Sequence, residues 1–433
     1  MKARSTVAAL LALMLLSSAT TAQATELSIS QALRTALDNN PTLSAEREEL
    51  VKAKATLLQA RGNFLPSLTL TGEVSDNRYP TATGTYRTDS TTGSLALTQE
   101  IYAGGKYRAQ HRQAKAQLSG AELTVLEAEE ALAVEVYSSF YGVLLARETV
   151  AAARDAVETS QKHVLEVRQL LRLGLANRLE LIRAEQQLSS NEASLASAHG
   201  TYDAQRIDLL NLMGLPPSSD YVPEGSLHAP TPEGAPESSV SRAKAQRPDI
   251  AIIEKEILAQ KEQIRIAKSG MSPTVSITAT ADHDDPYHND DRGEDSWSAT
   301  LEVEIPIFDR NQTRGEVIKA QAQQEQNKKN LRQKELDILS EIELAWVEIA
   351  DCQAQVDACA KALTLAKESL RLSQVGYREG VTPQLDLLQA QTDLTAARKD
   401  YSQALYNHLI KVVALKRAEG ELIPWTLKGG DEP

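Results

Sequence analysis

The sequence predicts a mainly α-helical chain with a small β part: duplicated long coiled-coil hairpins plus four β-strands. Three observations predict it. Residues recur at a constant offset along the chain. Each copy holds a very long stretch without proline that keeps a seven-residue apolar period. Each copy also holds two short alternating segments of the kind that form half-buried strands.

The repeat is read first, because it organises everything else. Asn40-Pro41 matches Arg247-Pro248, and Leu65-Pro66-Ser67-Leu68-Thr69-Leu70 matches Ser272-Pro273-Thr274-Val275-Ser276-Ile277. Ile101-Tyr102 matches Ile307-Phe308, Ala114 matches Ala320, and Gly214 matches Gly420. Gly174 with Leu179-Glu180-Leu181 matches Gly380 with Leu385-Asp386-Leu387. The offset is 206 or 207 residues throughout. The expected organisation is a first repeat over 25–214 and a second over 248–420. A Pro-, Gly- and Ser-rich linker and the start of the second repeat lie between them at 215–247, and a tail at 421–433.

Composition narrows the class. The chain has 433 residues, 42% of them hydrophobic, enough for a large folded structure. Forty-six basic against 59 acidic side chains give a net charge of −13, which excludes a nucleic-acid binder. Aromatic residues make up only 4%, poor for one compact core and suited to long, thin helices. Two cysteines exclude a disulfide-stapled scaffold.

Residues 1–24 read as an export signal. Lys2 and Arg4 precede an apolar run from Val7 to Leu16, and Ala22-Gln23-Ala24 fits a cleavage site. The run is shorter than the roughly 20 residues that span a membrane.

In each copy a helix comes first, over 42–61 and 249–268. A strand pair follows within 67–102, as Ser67–Asn77 and Gly93–Tyr102. Its counterpart lies within 274–308, as Thr274–Asp282 and Ser296–Phe308. A polar loop separates the two strands of each pair. Alternation such as Leu68, Leu70 and Val275, Ile277, Ala279 over about 9–11 residues suits tilted strands that cross a bilayer in a closed barrel.

Long hairpins then occupy 106–213 and 312–419. The stretch from Lys106 to Arg172 would reach roughly 100 Å as one helix. Its seam runs Val143, Val150, Val157, Val164, Leu171, with Ala153, Ser160 and Val167 between. The second seam runs Ile349, Val356, Leu363, Leu370, Tyr377, with Cys359, Ala366 and Ser373. Leu181, Leu188, Leu195, Tyr202, Leu209 and Leu387, Leu394, Tyr401, His408, Leu415 carry the returning arms.

Four strands cannot close a barrel, and an unpaired edge in lipid leaves backbone groups unsatisfied at several kcal/mol each. Three chains would pool twelve strands. The hairpins would then continue the barrel as a tube of packed helices.

The order of elements, the Leu65-Pro66-Ser67-Leu68 strand start and the Gly-Leu/Val tips followed by Leu-Glu/Asp-Leu resemble the TolC-type outer-membrane efflux proteins. The run Ile305-Pro306-Ile307-Phe308-Asp309-Arg310-Asn311 is similar to the heavy-metal cation efflux subgroup. The resemblance implies a homotrimer with a shared 12-stranded transmembrane β-barrel and a long periplasmic α-barrel, located in the outer membrane. It implies partners as well: outer-membrane lipid, a periplasmic adaptor (membrane fusion) protein, and an inner-membrane pump of the proton-driven resistance-nodulation-division type. The cargo would be small molecules or metal cations. A soluble periplasmic scaffold or adaptor, or an outer-membrane component of protein secretion, is the alternative.

By that resemblance Gly174, Leu175, Gly380 and Val381 form adaptor-contacting tips. Asp386 matches the first position of an acidic ring that narrows the tunnel, and Gln389 stands at the second. Glu180 is the copy-one equivalent of Asp386. Tyr377 and Thr382 match positions that hold neighbouring tips together in closed members, although Tyr377 also lies on the seam.

Other residues read more plainly. Cys352 and Cys359 are two turns apart on one helix, about 10 Å, too far for a bridge, and fit as small seam residues. His283, Asp284, Asp285, His288, Asp290 and Asp291 read as a solvated loop. The remaining histidines are scattered and form no ligand pattern. There is no phosphate-cradling Gly-rich loop, no His-Glu-x-x-His and no Gly-x-Ser-x-Gly, so no cofactor and no enzyme activity is expected, and any energy source lies in a partner.

Overall fold

A computed structural model describes residues 25–82, 84–228, 232, 234–285 and 294–423. The expected export signal, the last ten residues of the tail, and His288, Asp290 and Asp291 lie outside these. In chain order the elements are β1 (Thr25–Leu27), α1 (Ile29–Asn39), α2 (Pro41–Gly62), β2 (Ser67–Thr81) and β3 (Gly84–Ala103). Next come α3 (Lys106–Arg172), α4 (Arg178–Leu212), β4 (Tyr221–Pro223), α5 (Pro236–Gln246) and α6 (Pro248–Ser269). The chain finishes with β5 (Thr274–Asp285), β6 (Glu294–Glu304), α7 (Gln312–Arg378) and α8 (Gln384–Glu419). The expected linker thus holds a strand, β4, which pairs in parallel with β1, and is followed by a short helix, α5.

The described residues fall into two compact units, each drawing on both halves of the chain. One lies within Met1–Pro41, Glu129–Ser239 and Glu341–Pro433, the other within Thr42–Ala128 and Val240–Ser340.

The second of these units contains the sheet, a four-stranded antiparallel ribbon in the order β2-β3-β5-β6. Its register sorts the side chains. Leu68 pairs with Leu97 and Leu97 with Ala279; Ala279 pairs with Ala299. Leu70, Leu95, Ala281 and Trp297 form the next row. Directly paired residues share a face. One face is therefore mainly Leu, Val, Ile, Ala and Trp, with Gln99 beside Ile277 and with His283 and Asp295 beyond Trp297, and it is exposed in the single chain, Leu70 at 78% and Trp297 at 81%. The other face carries Thr69, Thr71, Thr98, Ser94, Thr278, Asp282, Ser298 and Thr300. There Ser94 donates to Asp282, and Thr280 and Ser298 share a hydrogen bond of 2.9 Å.

Strand boundaries in both pairs differ from expectation, β5 also running on to Asp285 and β6 starting at Glu294. The polar stretch between the first strand pair is not a loop but continues the ladder to Thr81 opposite Gly84. Threonine-rich sequence pairs well without any apolar face, so alternation does not reveal it. In the other pair, β6 ends at Glu304, and Ile305–Phe308 follow it as irregular chain, where Pro306 has no N–H to give a ladder.

Beside the sheet, α2 packs Leu57 and Ala60 on Ala114 and Leu118 of α3. Glu262 of α6 accepts from Arg112 at 2.9 Å and Arg265 at 2.6 Å, and Gln260 donates to the Ala320 carbonyl.

The other unit is built on the hairpin seams. Val143, Val150, Val157, Val164, Ala153, Ser160 and Val167 of α3 are buried, as the heptad predicts. Val164 and Val167 pack on Leu181 and Ala184, and Val150 and Ala153 pack on Ala198. The α7 seam is only half-buried over 356–377. α3 is bonded on two sides, to α4 through Asn191–Ser160 (2.6 Å) and to α8 through Arg398–Asp155 (2.6 Å). Cys352 and Cys359 are both free thiols, the first buried and the second half-buried.

Candidate functional site

The hairpin tips are built by helix termination. α3 ends with Leu175 N–H on the Leu170 carbonyl and Gly174 N–H on Leu171. α7 ends in the same way, with Val381 N–H on Gly376 and Gly380 N–H on Tyr377. This is the Schellman arrangement, which requires a left-handed residue. Gly174 (φ +75°) and Gly380 (φ +71°) supply it. In such caps the next residue usually packs back on its own helix. Here Leu175 is 73% and Val381 81% exposed, so both tips present bare apolar side chains.

The two returning helices start differently. Asn177 caps α4, its Oδ1 accepting from Glu180 N–H at 3.0 Å, while its Nδ2 donates to the Glu180 carboxylate at 2.8 Å. α8 starts after Pro383, which has no side chain able to cap. Asp386 lies in its first turn, exposed, and makes no side-chain hydrogen bond or ion pair among the described residues. A carboxylate there is favoured by the helix dipole yet free to face another molecule. Thr382 is half-buried; its N–H bonds to the Gly376 carbonyl, and its side chain lies where a Cβ on Gly376 would sit.

Tyr377 meets the His163 ring edge-on, at 5.5 Å between ring centres. Burial raises the pKa of its phenol, and the charges of Glu180 and Glu166 add to this. His163 is 4% exposed and Gln384 5%. Gln384 Nε2 lies 3.1 Å from His163 Nε2 and 2.9 Å from the Glu180 carbonyl. Burial lowers the imidazole pKa, against an opposing pull from Glu166, whose Oε2 is 3.9 Å from Nδ1.

Of the residues singled out in the sequence, Glu180 and Tyr377 thus take part in the contacts of one tip cluster, Thr382 packs on Gly376, and Asp386, Leu175 and Val381 are exposed. His163 and Gln384 escaped sequence reasoning. The repeat held a signal for them. At the equivalent places the other copy has Ser369 and Arg178, and Tyr377 stands opposite Leu171. The cluster occurs where the two copies diverge.

His283, Asp284 and Asp285, expected in a loop, instead end strand β5, since paired backbone needs no apolar alternation; His283 Nδ1 lies 2.7 Å from Asp295 Oδ1, and the described residues hold no group of three or more metal-ligand side chains. No helix among them is long and apolar enough to cross a membrane.

Comparison with known proteins bears on all of this. Escherichia coli K12 outer membrane protein TolC is 24% identical over 403 residues, spanning 89% of this chain and 80% of that protein. The cation efflux system protein CusC of Escherichia coli O6:H1 is 27% identical over 305 residues, 67% of this chain and 63% of its own length. The crystal structure of the outer membrane protein VceC from Vibrio cholerae superposes with a TM-score of 0.76 at 20% identity, covering 90% of this chain and 96% of that one. The sequence pattern of the outer membrane efflux proteins matches residues 32–215 and 239–421, which takes in both hairpins and both strand pairs, and the chain belongs to that family.

Proposed function

We propose that three copies of this chain form a passive exit duct of a tripartite efflux system. Their sheets join edge to edge as one twelve-stranded barrel, and their long hairpins line a periplasmic tunnel. The observation that carries this reading is the strand register. It gives one face that is apolar from Val275 and Val303 to Ala281 and Trp297, apart from Gln99, and one polar face, with β2 and β6 left as open edges. In lipid such edges must be paired, and the apolar face meets hydrocarbon while the polar face meets a wet lumen. A row of exposed apolar residues on α7 (Leu344, Val347, Leu365, Leu372 and Val375) supports helix packing against a neighbouring copy.

On this reading Asp386 lines the constriction, with Glu180, Tyr377 and Thr382 behind it. Gly174, Leu175, Gly380 and Val381 meet a periplasmic adaptor, which couples the duct to an inner-membrane pump, of the proton-driven resistance-nodulation-division type. The cargo is small molecules or metal cations. The test is reconstitution of purified protein into planar bilayers, beside unboiled gels. Discrete ion conductance from a heat-sensitive trimer is expected. A monomer that stays out of membranes and passes no current would end the reading.

A further inference from the structure

Gln384 resolves the protonation state of His163. The Glu180 carbonyl can only accept, so the amide nitrogen must be the atom that points at it. The same nitrogen lies 3.1 Å from His163 Nε2 and donates to it, so that ring atom carries no proton. The imidazole is therefore neutral, with its hydrogen on Nδ1, toward Glu166.

A second proton breaks this arrangement whichever way the amide lies. As it stands, an Nε2–H would face the amide N–H. With the amide turned over, its oxygen would accept from Nε2–H but would then face the Glu180 carbonyl. One of the two bonds is lost in either case. The Gln384 oxygen is also buried and has no partner among the described residues, so the amide has no third contact to fall back on. Meanwhile Glu166, 43% exposed and 3.9 Å from Nδ1, offers the imidazolium a counter-charge.

The groups around the ring are few. α3 contributes Glu166, while Lys162 of that helix is taken by Glu158 at 2.6 Å. α4 presents the Glu180 carbonyl, its carboxylate held by Asn177. α7 presents the Tyr377 edge. α8 presents the uncharged Gln384, its nearest carboxylate, Asp386, being exposed.

We propose that His163 is a proton-operated latch of the hairpin tips. Neutral, it ties α3 to α8, while Gln384 ties α8 to α4; protonated, it releases Gln384, turns to Glu166 and frees the α7–α8 tip. The location of this tip at the periplasmic mouth rests on the duct reading above. Because the neutral form is the latched one, the latch holds at neutral pH and opens as pH falls below the usual histidine range.

The test uses full-length protein in detergent and in planar bilayers between pH 7.5 and 5. Hydrogen exchange of backbone amides 380–382 and 384–388, corrected for the intrinsic chemical rate, reads the latch directly. Protection there should fall by about tenfold per pH unit once the ring protonates, the dependence of a one-proton equilibrium. His163→Gln keeps an acceptor for Gln384 but cannot titrate, and should remain protected throughout. Gln384→Leu should be unprotected at every pH, and Glu166→Gln should shift the transition to lower pH. Conductance should rise on acidifying the tip side in the native protein and not in His163→Gln. An unaltered pH response in His163→Gln, or native protection that does not change with pH, would overturn the latch. Absence of any conductance would strike the duct reading alone, since exchange still decides the latch.

Discussion

Asp249 and Lys334 sit 2.9 Å apart, and the same carboxylate is held by Arg247 at 2.7 Å. The Asp249 side chain is only 10% exposed, so it is a nearly buried acid clamped by two cations, joining α6 to α7. Burial alone would raise its pKa, but the hydrogen bonds and charges of Arg247 and Lys334 outweigh it and hold the carboxyl below its ordinary value. A depressed carboxylate stabilises the fold at pH above its unfolded value, about 3.9, and that stability is lost as pH falls below it. Asp249→Ala should lower stability by about 3 kcal/mol, because it removes the nearly buried carboxylate that Arg247 and Lys334 share. It should also flatten the acid limb of the melting temperature against pH, measured calorimetrically on the detergent-solubilised protein. A variant that melts like the parent at pH 7 would show that the clamp contributes nothing.

The sheet register predicts opposite responses to one substitution at adjacent positions. Leu97 is on the apolar face between Leu68 and Ala279; Thr98 is on the polar face between Ser67 and Thr278. Leu97→Arg should destabilise the assembled barrel by roughly 2–4 kcal/mol, the effect of a cation on a lipid-facing strand near mid-bilayer. Thr98→Arg should leave trimer yield on unboiled gels unchanged and reduce cation conductance. Equal damage from both would contradict the assignment of faces.

How legible this chain was depended on which physical signal each part carries. The hairpins were legible because packing repeats every seven residues, and Val143 through Val164 are buried as that period requires. The strand faces were legible where lipid demands apolar alternation, as in Leu68 and Leu70. They were not legible where β2 and β3 run on through polar sequence, since a strand wetted on both faces has no period to read. The tip cluster was half legible. Gly174 and Gly380 announce themselves as turns, whereas His163 and Gln384 act through a tertiary contact 221 residues apart in sequence, which no local pattern encodes.

Gly376 is a test of close approach rather than of backbone conformation. A Cβ there would collide with the Thr382 hydroxyl, while the Gly376 carbonyl accepts from both Val381 and Thr382. Gly376→Ala should push Thr382 outward and loosen the second tip, at about 1–3 kcal/mol as overpacking in a tight turn. Exchange of the Val381 and Thr382 amides is the readout, and faster exchange at these two positions with the strand amides unchanged is the expected result.

Asp386 is exposed in the first turn of α8, and its carboxylate makes no hydrogen bond or ion pair among the described residues. Three such carboxylates around one axis would hold multivalent cations and narrow the path for others by their summed potential. Asp386→Ala should raise single-channel conductance and weaken block by multivalent cations applied from the tip side, without altering trimer yield. Asp386→Asn separates charge from size: it should relieve cation block as fully as alanine while raising conductance less. Unchanged block in both variants would remove Asp386 from the constriction and leave it as a solvated helix cap.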